Sequence, residues 1–249
     1  MLQDGLLESP NVDAVLAQHV SSALPSGKIA YNVGGFASSA DAIVITIKGK
    51  GCHGASPNEG IDPVAIASHV IIGLMEINAR EVNPAETVVL TFGSVNSGSK
   101  NNILPDTAVI TGTLRSYNSQ VRNYVKERIA QISQGIAAAY RAEAVVEYPY
   151  GCPPLVADKS VMDTVGQGIK DCIGEDLVMD DMPRSNGSED FGYVTELCKG
   201  GMIYLGTDPG DRGTPYPHHT EKVYFDEAAM ANGVAAYVAA ALAWLDKNQ

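Results

Sequence analysis

Apolar positions along the chain follow two rhythms, a period of two and a period near 3.6, and each marks a different kind of element. Residues Val12 to Val20 (VDAVLAQHV) form a short apolar run between Pro10 and the turn-rich SSALPSG, which predicts a buried strand with His19 at its C-terminal end. Asp41 to Lys48 (DAIVITIK) alternates and is rich in β-branched residues, a second strand. After the loop GKGCHGASPNEG, Asp62 caps a helix that accepts Pro63 in its first turn. Ala67, Val70, Ile71, Leu74 and Ile77 form its apolar stripe, and Asn83-Pro84 ends it. Strands over Thr87 to Val95 and Ala108 to Arg115 flank the polar loop NSGSKNNILPD, which is long for a simple hairpin. A helix from Ser119 to Tyr140 puts Val121, Val125, Ile129, Ile132 and Ile136 on one face, and Ala144 to Tyr148 is again a strand.

From Asp41 to Tyr148 the order is β, α, β, β, α, β, that of a ferredoxin-like sandwich with two helices on one face of an antiparallel sheet. The remainder alternates differently: a helix over Ser160 to Ile173 stopped by Gly174, a helix over Ser188 to Cys198, a strand over Met202 to Leu205 and a small-residue helix over Asp226 to Leu245. This is the pattern of part of a three-layer α/β domain, to which the strand ending at His19 also belongs. The expected organisation is a first piece over residues 1–35, an inserted ferredoxin-like domain over 36–148 and a second piece over 149–249. Such an insertion brings His19 toward loops far away in sequence.

Composition narrows the function classes. The 249 residues are 45% hydrophobic and 18% charged, enough to bury a core. With 17 Lys and Arg against 29 Asp and Glu the net charge is −12, which disfavours nonspecific binding to nucleic acid or anionic lipid. Four widely spaced cysteines with no CxxC pair argue against a disulfide scaffold or zinc ribbon and for a reducing, cytoplasmic setting. The expectation is a protein without a leader and without an apolar segment of the ~20 residues that span a bilayer.

Chemistry is concentrated in a few residues. His19 ends a strand of an α/β sheet, where ligands gather, and His218 and His219 stand in the proline-stiffened loop TPYPHHTEK. His53 lies in the glycine-rich GKGCHGASP beside Cys52, a candidate nucleophile, but neighbouring side chains on an extended segment point apart and make a poor catalytic pair. In GSED, Ser188 reads as an N-cap with Glu189 and Asp190 in the first turn. NNILPD is followed after a strand by Arg115, whose guanidinium could hold a carboxylate together with an amide. A structural role for each of these residues is the competing reading.

Taken in order, DGLLESPNVDAVLAQHV, ITIKGKGCHGASPNEGIDPVAIAS, NNILPDTAVITGTLR, GSEDFG and YPHHTEKVYFDE resemble the metal-dependent amidohydrolases of the hippurate hydrolase and indoleacetyl-amino-acid hydrolase type. These belong to the dinuclear-metal aminoacylase and carboxypeptidase superfamily. The resemblance implies a three-layer α/β dinuclear-metallopeptidase catalytic domain, here partial, with an inserted βαββαβ lid that forms a homodimer. It implies His19 and His219 as metal ligands, His219 rather than His218 because it precedes Thr220. His53 is implied to polarise the scissile carbonyl, Asn102 and Arg115 to grip the substrate's free carboxylate, and Glu189 to lie near the active site. The implied cofactor is a pair of divalent ions, Zn, Mn, Co or Ni, and the implied substrate is a small N-acyl amino acid.

The family's early Cys and His motif and its paired Glu-Glu, which give metal ligands and the general base, have no counterpart in these residues. Cys52 does not replace the missing Cys, since it lies in the lid motif. The resemblance therefore implies a family hydrolase in an incomplete form with weak or no activity alone. A non-enzymatic dimerisation or amino-acid-binding module is the alternative from another class.

Overall fold

The computed structural model of the protein describes residues 1–248 apart from Arg212 and Thr214. Strands β1 (Val15–Pro25), β2 (Ile29–Ala30) and β3 (Gly34–Ala37) lead into β4 (Ala40–Lys48) and β5 (Cys52–His53). Helix α1 (Pro63–Glu76) is followed by β6 (Val88–Ser97), β7 (Ile103–Leu104), β8 (Thr107–Ser116), α2 (Ser119–Ala139), β9 (Glu143–Glu147) and β10 (Gly151–Cys152). Then come β11 (Leu155–Ala157), α3 (Lys159–Ile173), β12 (Val178–Met179), the single turn α4 (Gly192–Thr195), β13 (Gly200–Asp208) and α5 (Met230–Lys247). The chain forms a mixed α/β fold in two compact units. One combines Met1–Ala37, Leu155–Ser185 and the residues from Asp190 onward; the other combines Ser38–Pro154 with the short stretch Asn186–Glu189.

In the second unit, β4 pairs with β8, β8 with β6, and β9 and β10 with β4, all antiparallel. The alternation of β4 puts Ile43, Ile45 and Ile47 on the buried face, where they meet Ile66, Val70 and Leu74 of α1 and Val125 and Ile129 of α2. The Asp62 carboxylate accepts the amide protons of Val64 and Ala65, and the Asn118 side chain does the same for Gln120 and Val121, so both helices start where a side-chain oxygen satisfies their first donors. Helix α1 continues as a π-helical turn over Ile77–Glu81 before the chain straightens at Val82.

The first unit is built on a sheet ordered β1, β13, β2, β12. β1 runs parallel to β13 and forms the end of the sheet. Helices α3 and α5 pack together through small residues: a Cβ on Gly168 of α3 would come within 2.4 Å of the Ala243 Cβ of α5. Ile29, Phe36, Met162, Ile169, Ile203 and Leu205 make up the centre of this core.

Three expectations are corrected. First, β1 does not stop at Val20 but runs on to Pro25, so His19 lies inside the strand rather than at its end. The serines that look like turn residues are accommodated by hydrogen bonds. Ser21 O accepts from Thr207 Oγ1, and buried Ser22 donates through Oγ to the Tyr216 carbonyl. Second, the helix expected over Ser188 to Cys198 is reduced to Gly192–Thr195, because Asn186–Glu189 belongs to the second unit as a loop that Ser38 holds by hydrogen bonds to the Asn186 and Gly187 carbonyls. Third, the stretch Glu227–Lys247 is helical and, by length and composition alone, long and apolar enough to cross a membrane. In this fold its Gly233, Ala236 and Ala240 are buried.

Candidate active site

In the first unit, the β1/β13 register sets His19 opposite Tyr204, and the two rings stack at 5.5 Å. His19 Nδ1 donates to the Val20 carbonyl at 2.6 Å, so Nε2 is the ring nitrogen not engaged by that bond. The loop carrying the other two histidines folds back on the same strand. The Ser22 amide donates to His218 Nε2 at 3.0 Å, and the His218 ring stacks 5.7 Å from that of His19. Burial first, then the neighbouring imidazoles of His19 and His219, hold His218 below the ordinary histidine value, so it is neutral at pH 7. Its only unprotonated nitrogen is therefore already occupied by Ser22. His219 is exposed and its backbone is left-handed, with φ 64°, a conformation uncommon outside glycine. Among the described residues, no three His, Cys, Asp or Glu side chains converge as a metal-binding group.

The second unit carries the remaining candidates in two places. Short strands β5 and β7 pair Cys52 with Leu104 and His53 with Ile103. The Gly54 amide then donates to the Asn102 carbonyl at 2.8 Å, which brings His53 and Asn102 onto adjoining stretches. Glycine allows this close approach, since a Cβ would sit 3.1 Å from the Asn102 backbone, tighter than an ordinary contact. His53 is exposed, and its Nδ1 accepts the Ala55 amide proton at 3.1 Å, which leaves Nε2–H as an outward donor. Cys52 lies against Gly60, where a Cβ would approach its Sγ to 2.5 Å, so the thiol has a packing role.

At the second place, Arg115 near the end of β8 donates through Nη1 to the Asn186 carbonyl at 3.0 Å. Glu189, three residues further along that loop, is half-buried. Two further residues emerge only in the folded chain: Tyr117, whose hydroxyl donates to Asn186 Oδ1 at 2.6 Å, and Ser22, the partner of His218. Tyr117 carried a faint signal, standing two positions from Arg115 and so on the same side of an extended chain; Ser22 carried none. His69 stacks on Tyr140 at 5.1 Å, a packing role between α1 and the end of α2.

Known proteins share this architecture and sequence. The chain is 34% identical over 249 residues to the N-acetyl-L-cysteine deacetylase of Bacillus subtilis, a match covering 100% of this chain and 58% of that protein. It is 32% identical over 248 residues to thermostable carboxypeptidase 2 of Saccharolobus solfataricus, covering 99% of this chain and 62% of the relative. Among solved structures it superposes on a Bacillus subtilis dinuclear metal binding peptidase from the M20 family with TM-score 0.74 and 27% identity, over 98% of this chain and 60% of that one. The chain thus spans about three fifths of the length of these relatives, and all of them are hydrolases by name. The profile of peptidase family M20/M25/M40 matches residues 1–243, so the chain belongs to that family.

Proposed function

We propose that the chain is part of a metal-dependent hydrolase that cleaves the amide bond of N-acyl amino acids, of the N-acetyl or hippurate-like kind, and that these residues alone have weak or no activity. The observation that carries the reading is the placement of His19: Nδ1–H is engaged by a backbone carbonyl, which leaves Nε2 as the ring nitrogen for a ligand, the arrangement of a metal-ligating histidine with its second partner in place. The names of the relatives, a deacetylase of an N-acetyl amino acid and a carboxypeptidase, support the substrate class.

Two imidazoles suit a divalent transition metal, and His19 and His219 are the pair that would hold it. His218 is the poorer ligand because Ser22 occupies its Nε2. A pair of divalent ions, Zn, Mn, Co or Ni, supplies Lewis-acid polarisation of the amide oxygen when bound. His53 offers Nε2–H to the oxygen on which charge develops. Asn102 and Arg115 are assigned to the substrate carboxylate and Glu189 to the substrate-binding set, although within one chain Asn102 and Arg115 lie toward opposite ends of β8. β1 ends its sheet, and α5 exposes Met230, Val234, Leu242 and Leu245, which supports a catalytic domain that extends further.

A homodimer through the second unit is part of the same reading. It is supported by β6 as an end strand with Val89 and Val95 exposed, and by exposed Val64, Ile72 and Met75 on α1. Sedimentation velocity that finds only monomer would remove this element. The function is tested by assaying the purified chain on N-acetyl and N-benzoyl amino acids with Zn, Mn, Co or Ni. Near-zero turnover is expected, and substantial turnover abolished by His219→Ala would overturn the claim of incompleteness.

A further inference from the structure

The Arg115 guanidinium is held in an unusual way for a cation in an acidic protein. Its partner is neutral, the backbone carbonyl of Asn186, and among the described residues it forms no ion pair. That carbonyl is itself fixed, because it also accepts from Ser38 Oγ at 2.9 Å, while the Ser38 amide donates to the Gly187 carbonyl at 3.0 Å. The side chain of Asn186 is fixed separately, by the Tyr117 hydroxyl at 2.6 Å from Asn186 Oδ1. Arg115 near the end of β8 and Tyr117 just past it thus reach one loop residue, Tyr117 binding its side chain and Arg115 its backbone carbonyl.

We propose that Tyr117 and Asn186 are positioning residues that hold the Arg115 guanidinium for a ligand carboxylate and so set selectivity for substrates with a free carboxylate. The inference rests on the reading of Arg115 as the carboxylate grip. A guanidinium has five N–H donors, and anchoring it by one leaves the others for a bidentate contact. A neutral anchor preserves the full positive charge that an aspartate or glutamate partner would cancel. Fixing the fork beforehand removes ordering cost from the binding step, the usual source of affinity in preorganised sites.

The test uses the full chain with N-benzoylglycine and its primary amide as probes, titrated by ligand-observed NMR, and the 15N relaxation of the Arg115 Nε–H group. Wild type is expected to prefer the carboxylate. Tyr117→Phe and Asn186→Ala are each expected to weaken N-benzoylglycine binding about three- to tenfold, the worth of one neutral hydrogen bond, and to leave binding of the amide unchanged. Neither is expected to have further effect in an Arg115→Ala background, and both are expected to increase the mobility of Arg115 Nε–H. A carboxylate preference lost in Arg115→Ala but retained in Tyr117→Phe and Asn186→Ala would overturn the positioning role. If Arg115→Ala binds N-benzoylglycine as wild type does, or if wild type does not bind it, the grip itself is wrong and the selectivity claim falls with it. The Arg115 Nε–H signal in Tyr117→Phe then shows separately whether the anchoring network exists.

Discussion

Asp41 occupies the first inward position of β4, where Ile43, Ile45 and Ile47 follow, and it is only 2% exposed. Its charge survives there because Arg122 approaches both carboxylate oxygens at 2.7 Å and Lys126 adds a contact at 3.2 Å. Gly151, opposite in register, gives it room, since a Cβ there would lie 2.5 Å from Oδ1. Removing the carboxylate strands two largely buried cations, so Asp41→Asn is expected to cost about 3 kcal/mol. Urea denaturation measures it, and a loss within experimental scatter of zero would show that the cations find other partners. Alternation made the strand legible from DAIVITIK, but nothing in that pattern announces that its first residue is a buried ion. The same limit applies to the histidines: their residue types were readable, whereas the state of each ring nitrogen depends on partners such as Ser22 and Val20 that only the folded register supplies.

Helices followed their local signals where a cap side chain reaches the first-turn amides, as Asp62 does at α1. Asp158 illustrates this at the start of α3: its side chain accepts from Ser160 Oγ at 2.6 Å and from the Val161 amide at 3.0 Å. The Ser160 hydroxyl foremost, with the Val161 and Ser160 amides, lowers the Asp158 carboxyl below its ordinary value of 3.8. A lowered value means stability that is fully present above the ordinary value and lost as pH falls through the folded one. Asp158→Ala is therefore expected to cost about 1 kcal/mol at pH 7. The difference from wild type should shrink once the pH drops below 3.8. Unfolding curves of both proteins across that range decide it, and a gap independent of pH would contradict the charged cap. Signals misled where polar residues were absorbed by long-range bonds. SSALP continues a strand because Thr207 and Tyr216 satisfy it, and GSED is a held loop rather than a helix start because Ser38 and Tyr117 claim its approach.

At the scale of the whole molecule, family membership and the βαββαβ order were legible because they rest on ordered motifs and on local patterns. The grouping of side chains was legible only in part. Spacing suggested that Asn102 and Arg115 stand on neighbouring segments, but the ladder that sets His53 beside Asn102 and the loop that anchors Arg115 come from tertiary pairing. The central claim is that His19 and His219 are this chain's contribution to a metal centre. The most direct measurement is a cobalt(II) titration of the full chain followed by its absorption spectrum, with His19→Ala, His218→Ala and His219→Ala alongside. The claim predicts weak cobalt binding with nitrogen ligation, lost in the His19 and His219 variants and kept in His218→Ala. A chain that takes up no metal yet forms a dimer and binds amino acids, or one in which only His218→Ala abolishes binding, would contradict it.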